Sequence, residues 1–245
     1  MRELPLRVVI TGASSGIGEA VAERFRRAGD RVLLTGRRAA APVTVRAGER
    51  YLPGDLGDES FVARLVGEAA NEFGEIDALV LCHGLQSEGS LTGMSVAEAS
   101  RVIDANLLSV FSVVRSAVPL MSRERGSIVC VASRLGMVGM PGQVLYSAAK
   151  GGLIMFARAA AVELAPEGVR VNVVAPGLTM TPLIRDGFAR HDDPEAYAAE
   201  RAATIPLGRL AEPAEIAEPI YFLASPASSY VTGVVLPIDG GYTAA

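Results

Sequence analysis

The sequence predicts an α/β domain, a doubly wound, seven-stranded parallel sheet with helices on both faces. Three observations carry that prediction. Short apolar runs alternate with longer amphipathic segments along the 245 residues, as when strands are joined by crossover helices. The runs are almost wholly apolar rather than alternating, which suits strands covered on both faces. A glycine-rich turn separates the first run from the first amphipathic segment.

In order, Leu6–Ile10 reads as a strand, and Ile17–Ala28 as a helix with Ala20, Val21, Phe25 and Ala28 on one face. Gly29-Asp30 ends that helix, and Arg31–Thr35 is a second strand. Gly36–Gly48 is too short and too rich in Pro and Ala for a full crossover helix. A third strand precedes Asp55-Leu56. Phe61–Phe73 is a helix with Phe61, Leu65, Ala69 and Phe73 at every fourth position. Ile76–Leu81 is a buried strand, Val96–Met121 a long helix, Ser127–Ala132 a strand and Val144–Leu164 a second long helix. Val169–Val174 and Val234–Ile238 are the last strands. Leu183–Leu210 breaks the pattern and reads as a polar flap. With neither repeat nor linker, residues 1–245 form one domain.

Composition excludes several classes. Half the residues are hydrophobic and 20% are charged, against a disordered chain. The net charge of −4 argues against a nucleic-acid partner. The cluster Arg24, Arg26, Arg27 and Arg31 is interleaved with Glu19, Glu23 and Asp30, which reads as a solvated helix face. No apolar run approaches the roughly 18 residues of a membrane span. Cys82 and Cys130 sit in strand-like runs and read as buried thiols. Strand-like sequence begins by Leu6, so no secretion leader and a cytoplasmic location are expected. Two histidines, His83 and His191, suggest no metal site. The chain's only lysine is Lys150.

The turn is Thr11-Gly12-Ala13-Ser14-Ser15-Gly16-Ile17-Gly18. Gly12 permits the tight turn, and Gly16 and Gly18 admit a pyrophosphate and a close helix. The following helix offers free N–H groups and a positive dipole end. Further along stand Asp55-Leu56, Gly84, Asn106, Ser133, Tyr146-x-x-x-Lys150, Pro176-Gly177, Ile205–Arg209 and Asp239-Gly-Gly241. In this order the motifs resemble the short-chain dehydrogenase/reductase family over nearly the whole chain, with a Rossmann-type fold.

The resemblance implies a catalytic set of Asn106, Ser133, Tyr146 and Lys150. Tyr146 and Lys150 share one helix face. A carbonyl oxygen gaining negative charge needs a proton donor and a second hydrogen bond, which Tyr146 and Ser133 can supply. A nearby ammonium favours the phenolate of a tyrosine whose ordinary pKa is about 10. Lys150 would hold the nicotinamide ribose, and Asn106 a water linking Lys150 to solvent. Ser127 and Ser147 are rival serines, one buried at a strand start and one on another helix face.

The second strand ends in Thr35-Gly36-Arg37-Arg38, with no carboxylate for a ribose 2′-hydroxyl. Arg37 and Arg38 suit a 2′-phosphate, so NADP(H) is expected over NAD(H). Ser15 stands where many NADP-type relatives carry a second basic residue. The resemblance places Gly12, Ser14, Ser15, Gly16, Ile17, Gly18, Asp55, Leu56, Gly84, Pro176, Gly177, Thr179 and Thr181 at the cofactor. It places Ser133, Leu135, Gln143, Tyr146, Leu183 and Phe188 at the substrate.

Two departures stand out. Leu81-Cys82-His83-Gly84 replaces the common Asn-Asn-Ala-Gly or Asn-Ala-Gly, and His83 reads as a packed neutral imidazole. The trimmed Gly36–Gly48 connection is similar to that of ring-dihydrodiol dehydrogenases. The expected activity is hydride exchange between NADP(H) and a ketone or secondary alcohol. A 3-oxoacyl-(acyl-carrier-protein) reductase is the alternative, with Arg123, Arg125 and Arg134 as a basic rim. The family further implies a homotetramer or homodimer built on the two long helices, where Ala157, Ala160 and Ala161 suggest close contact outside the subunit core.

Overall fold

The computed structural model describes residues 4–39, 45 and 49–245. The strands are β1 (Arg7–Thr11), β2 (Arg31–Gly36), β3 (Arg50–Pro53), β4 (Ala78–Leu81), β5 (Ser127–Val131), β6 (Arg170–Pro176) and β7 (Val235–Ile238). They form one sheet in the order β3-β2-β1-β4-β5-β6-β7, and every pair is parallel. The expected doubly wound sheet is therefore present. Most of the short connection after Gly36 lies outside the described residues.

Successive residues of β1 face opposite layers. Val8 and Ile10 join Val21 and Phe25 of helix α1 (Gly16–Ala28) and Ile216 and Ile220 of α8 (Pro213–Ala224). Val9 faces the other layer, with Phe61 and Leu65 of α2 (Glu59–Phe73) and Leu153 and Ala157 of α5 (Val144–Leu164). All these side chains are buried.

The expected long helix after Val96 is present with an interruption. It runs as α3 (Val96–Ile103), one π-helical turn at Asp104–Leu108, α4 (Ser109–Ala117) and a short 3-10 turn. By length and mean hydropathy Val96–Leu120 would suffice to cross a membrane, although Glu98, Arg101, Asp104 and Arg115 keep it from being a continuous apolar run. Its stripe of Val102, Val110, Val113, Val114 and Ala117 is nevertheless buried in the domain.

The strand expected from Ile76 begins at Ala78. Ile76 makes only an isolated bridge to Met121, and buried Asp77 intervenes, binding Arg7 at 2.8 Å and Arg125 at 3.0 Å. The polar flap is two helices, α6 (Pro182–Phe188) and α7 (Pro194–Ala203). Helix α8 has no counterpart in the sequence reading. Its signals are Pro213 at the first turn and a Glu212/Glu215 capping box.

Two surface expectations are corrected. Arg24 pairs with Glu218, Arg31 with Glu72, and Arg26 is buried against Glu49, so the cluster on α1 is tied to its neighbours rather than freely solvated. Ala157 and Ala161 lie inside the subunit core, and Ala160 packs against it. Exposed apolar side chains of the long helices include instead Leu108, Phe111, Met155 and Val162.

Candidate active site

Strand order reverses between β1 and β4, which opens a crevice at the carboxyl ends of the strands. The glycine turn forms one wall. Gly12 has φ +64°, and a Cβ there would lie 2.7 Å from the His83 backbone nitrogen. A Cβ on Gly18 would lie 2.2 Å from the Gly12 oxygen, so neither position admits a side chain. Gly16 has φ +60° and faces the Thr181 methyl group. Ser15 precedes α1 in extended backbone and makes no side-chain cap. The first N–H groups of α1, beginning near half-buried Ile17, thus keep their capacity for an anion.

The end of β2 packs onto this turn. A Cβ on Gly36 would lie 2.9 Å from the Ser14 side chain. Tyr51 on β3 lies beside Ser14 and donates to the Arg38 carbonyl at 2.8 Å. Sequence reasoning missed Tyr51, since an aromatic in a strand carries no signal of this contact. Arg37 and Arg38 are exposed and have no ion pair among the described residues. Asp55 is exposed, with Oδ1 accepting from the Gly57 N–H at 2.9 Å. Leu56 is buried in the core, which leaves its backbone as its only means of contact.

The catalytic candidates converge on the next part of the same edge. Ser133 follows β5, and its Oγ accepts from the Leu135 N–H at 3.1 Å. Tyr146 on α5 comes close enough to Ser133 to feel its hydroxyl. Burial pushes the Tyr146 phenol above its ordinary value, and Ser133 opposes this. Lys150 is 3% exposed, and its Nζ donates to the Val131 carbonyl at 3.0 Å. Burial pulls its ammonium down to about 8. Gly84 is exposed beside this corner, and a Cβ there would stand 2.7 Å from Asn106 Oδ1 and 3.3 Å from Lys150 Nζ.

Asn106 lies in the π-turn, fully buried. Its Nδ2 donates to the carbonyls of Leu85 (2.8 Å) and Val102 (2.9 Å), and its Oδ1 accepts from the Leu85 N–H. The side chain is thus spent on holding the Gly84–Leu85 segment, a job the sequence did not indicate. The π-turn itself is a local helix distortion of the kind that recurs at functional sites.

His83 also binds the two walls together. Nδ1 is 2.6 Å from Thr11 Oγ1, and Nε2 is 3.0 Å from Ser109 Oγ. Ser109 donates to the Ala105 carbonyl, so its oxygen accepts from Nε2–H and Nδ1 accepts from Thr11. Burial holds the imidazole far down, at about 3, consistent with a neutral ring. Burial likewise raises both cysteine thiols to about 12.

Pro176 ends β6, and a Cβ on Gly177 would meet Asp239 Cα at 2.7 Å. Thr179 is buried and donates to the Gly177 carbonyl, while Thr181 caps α6. Of the substrate candidates, Leu135 and Gln143 are buried near Ser133 and Tyr146 in the chain, and Leu183 is exposed. Phe188 packs edge-on against Tyr197 with ring centroids 5.3 Å apart, and His191 stacks on the same tyrosine at 3.6 Å. Phe188 is therefore spent on joining the two flap helices.

A nucleotide-binding crevice with a Ser-Tyr-Lys set at its mouth defines an oxidoreductase of the Rossmann type. The chain belongs to the short-chain dehydrogenase/reductase family. The family model described as enoyl-(acyl carrier protein) reductase matches residues 12–243. Cis-4-hydroxycyclohexanecarboxylate dehydrogenase of Sinomonas cyclohexanicum is 43% identical over 244 residues, covering 96% of each chain. 3-Oxoacyl-(acyl-carrier-protein) reductase of Thermotoga maritima is 38% identical over 241 residues, 95% of this chain and 96% of that one. The solved structure of ElxO with NADP bound superposes with a TM-score of 0.90 at 29% identity, covering 99% of this chain and 100% of that chain.

Proposed function

We propose that the enzyme is an NADP(H)-dependent oxidoreductase that interconverts a ketone and a secondary alcohol. The observation that carries this is the gathering of Ser133, Tyr146 and buried Lys150, whose Nζ lies 5.8 Å from the Tyr146 ring centroid, beside open Gly84. The ring alcohol named for the Sinomonas relative supports the substrate class.

The residues fit a dinucleotide: Gly12 and Gly18 in the turn have no room for side chains, α1 is uncapped, and two arginines are free of ion pairs among the described residues. When bound, the nicotinamide supplies or accepts the hydride. Ser14, Ser15, Ile17 and the α1 terminus hold the phosphates. Asp55 and the Leu56 backbone would hold the adenine end. Pro176, Gly177, Thr179 and Thr181 border the nicotinamide end. Lys150, whose Nζ lies 5.8 Å from the Tyr146 ring centroid, would hold the ribose hydroxyls. Ser133 holds the substrate oxygen, and Tyr146 gives it a proton in reduction and removes one in oxidation. Disappearance of NADPH absorbance across a panel of cyclic and open ketones tests the activity; tight NADPH binding without turnover of any ketone refutes it.

Arg37 and Arg38 supply the preference for the 2′-phosphate. The double variant Arg37→Ala/Arg38→Ala is expected to weaken NADPH binding by about 10- to 100-fold. Calorimetry should show NADH binding unchanged, and an equal loss for both nucleotides removes the assignment.

The acyl-carrier-protein reading has less support at the surface. Arg123 is paired with Glu167, Arg125 with Asp77, and Arg134 is buried, so the basic rim is not free to meet an acidic protein. The ring-dihydrodiol reading rests on the short connection after Gly36, most of which falls outside the described residues.

Assembly as a homotetramer or homodimer is supported by the apolar side chains left open on the long helices. Leu108 is 51% exposed, Phe111 47%, Met155 59% and Val162 78%. Phe111→Glu should reduce the mass measured by light scattering; an unchanged mass places the interface elsewhere.

A further inference from the structure

The residue after Ser133 is Arg134, and it is 4% exposed. A buried guanidinium ordinarily sits against a carboxylate. Arg134 has no ion pair among the described residues, and its buried Nη1 has no hydrogen-bond partner. Its plane lies 3.6 Å over the Tyr242 ring, which covers a face and leaves the hydrogen-bonding edge unused. The nearby Asp239 carboxylate is occupied by the Gly241 and Thr243 N–H groups and the Thr243 hydroxyl.

A second cation bears on the same place. Arg201, on the flap helix α7, opposes the charge on Arg134. It too has no ion pair among the described residues, and its Nη2 reaches only Met140 Sδ, at 4.0 Å. Met140 lies in the loop that leads to Gln143 and Tyr146, and the buried Gln143 Oε1 is also without a partner. Two like charges are costly where water is excluded, and the Asp239 carboxylate, which acts on Arg134 without a direct hydrogen bond, offsets only part of that cost. A bound anion removes that cost, and a guanidinium edge matches the two oxygens of a carboxylate.

We propose that Arg134 and Arg201 form a carboxylate subsite, so that the enzyme's substrates are hydroxy or keto acids whose carboxylate lies away from the reacting carbon. The inference rests on the oxidoreductase reading, with Ser133 and Tyr146 at the reacting oxygen. It assigns Arg134, which immediately follows Ser133, to the far end of the same molecule.

Direct binding separates the two ideas. Cyclohexanecarboxylate and its neutral amide would be titrated calorimetrically into the NADP-supplemented protein. The acid is expected to bind about 10- to 100-fold more tightly than the amide. Arg134→Met, which retains an apolar stack on Tyr242, should bring that ratio close to one, and Arg134→Lys should restore part of it. Arg201→Met gives a second reading on a half-buried flap position should Arg134→Met fail to fold. In turnover, 4-oxocyclohexanecarboxylate should show a KM lower than its amide by a similar factor, a difference lost in the same variants. Acid binding without reduction of any ketone upholds the subsite and overturns the oxidoreductase reading. Reduction of neutral ketones with equal affinity for acid and amide overturns the subsite and leaves the reading intact. An acid preference untouched in both Met variants also overturns it.

Discussion

Tyr146→Phe should lower kcat by about 10³-fold or more, with nucleotide affinity unchanged. General acid–base groups contribute roughly 10²–10⁴-fold. The variant keeps the ring and its packing on α5 while removing the hydroxyl. Both the proton carried to or from the substrate oxygen and the hydroxyl that faces Ser133 go with it. Single-turnover rates at saturating NADPH, with nucleotide binding followed separately, check this. A variant retaining more than about a tenth of the rate would move the proton to another group.

The same hydroxyl shows how far the sequence could be read. Tyr146 and Lys150 were legible because a helix puts residues four apart on one face, a rule that needs no tertiary information. The glycine turn was legible for a similar reason, since the missing side chains are themselves the signal. Their contacts were not legible. Nothing in the composition of the third strand indicates that Tyr51 reaches past Ser14 to hold the Arg38 carbonyl. The π-turn at Asp104–Leu108 is equally silent, because its apolar spacing continues that of the helices on either side. Asn106 is expected in the site from the motif, whereas its amide serves the Leu85 backbone, a partner that only the fold brings to it.

The sheet followed from its apolar runs, whereas errors gathered where burial is shared with polar groups. Asp77 shortens the expected strand at β4 because its carboxylate takes the Arg7 N–H and guanidinium. Helix α8 escaped because Pro219 stands inside it and its strongly apolar sequence has weak periodicity. Arg134 was read as a surface charge from its residue type. Only packing against Tyr242 reveals it as buried, and that packing joins segments far apart in the chain.

Lys150→Met should lower activity by about 10²–10⁴-fold and yet raise stability at neutral pH by roughly 1–2 kcal/mol. In the folded chain the ammonium is nearly sealed from solvent and titrates at about 8. In the unfolded chain a lysine titrates near 10.4. Between those values the unfolded state binds more protons, so native stability rises with pH through that window. Below about pH 8 the full cost of burying the charge is present. Methionine removes that cost and keeps most of the volume, while leaving the Val131 carbonyl without its donor, which returns part of the gain. The advantage of the variant should therefore be greatest below pH 8 and shrink toward pH 10. Urea unfolding of both proteins across that range measures it. A variant less stable than the parent at pH 7 would mean that the Val131 bond outweighs the buried charge, and Lys150 would then be a structural anchor first.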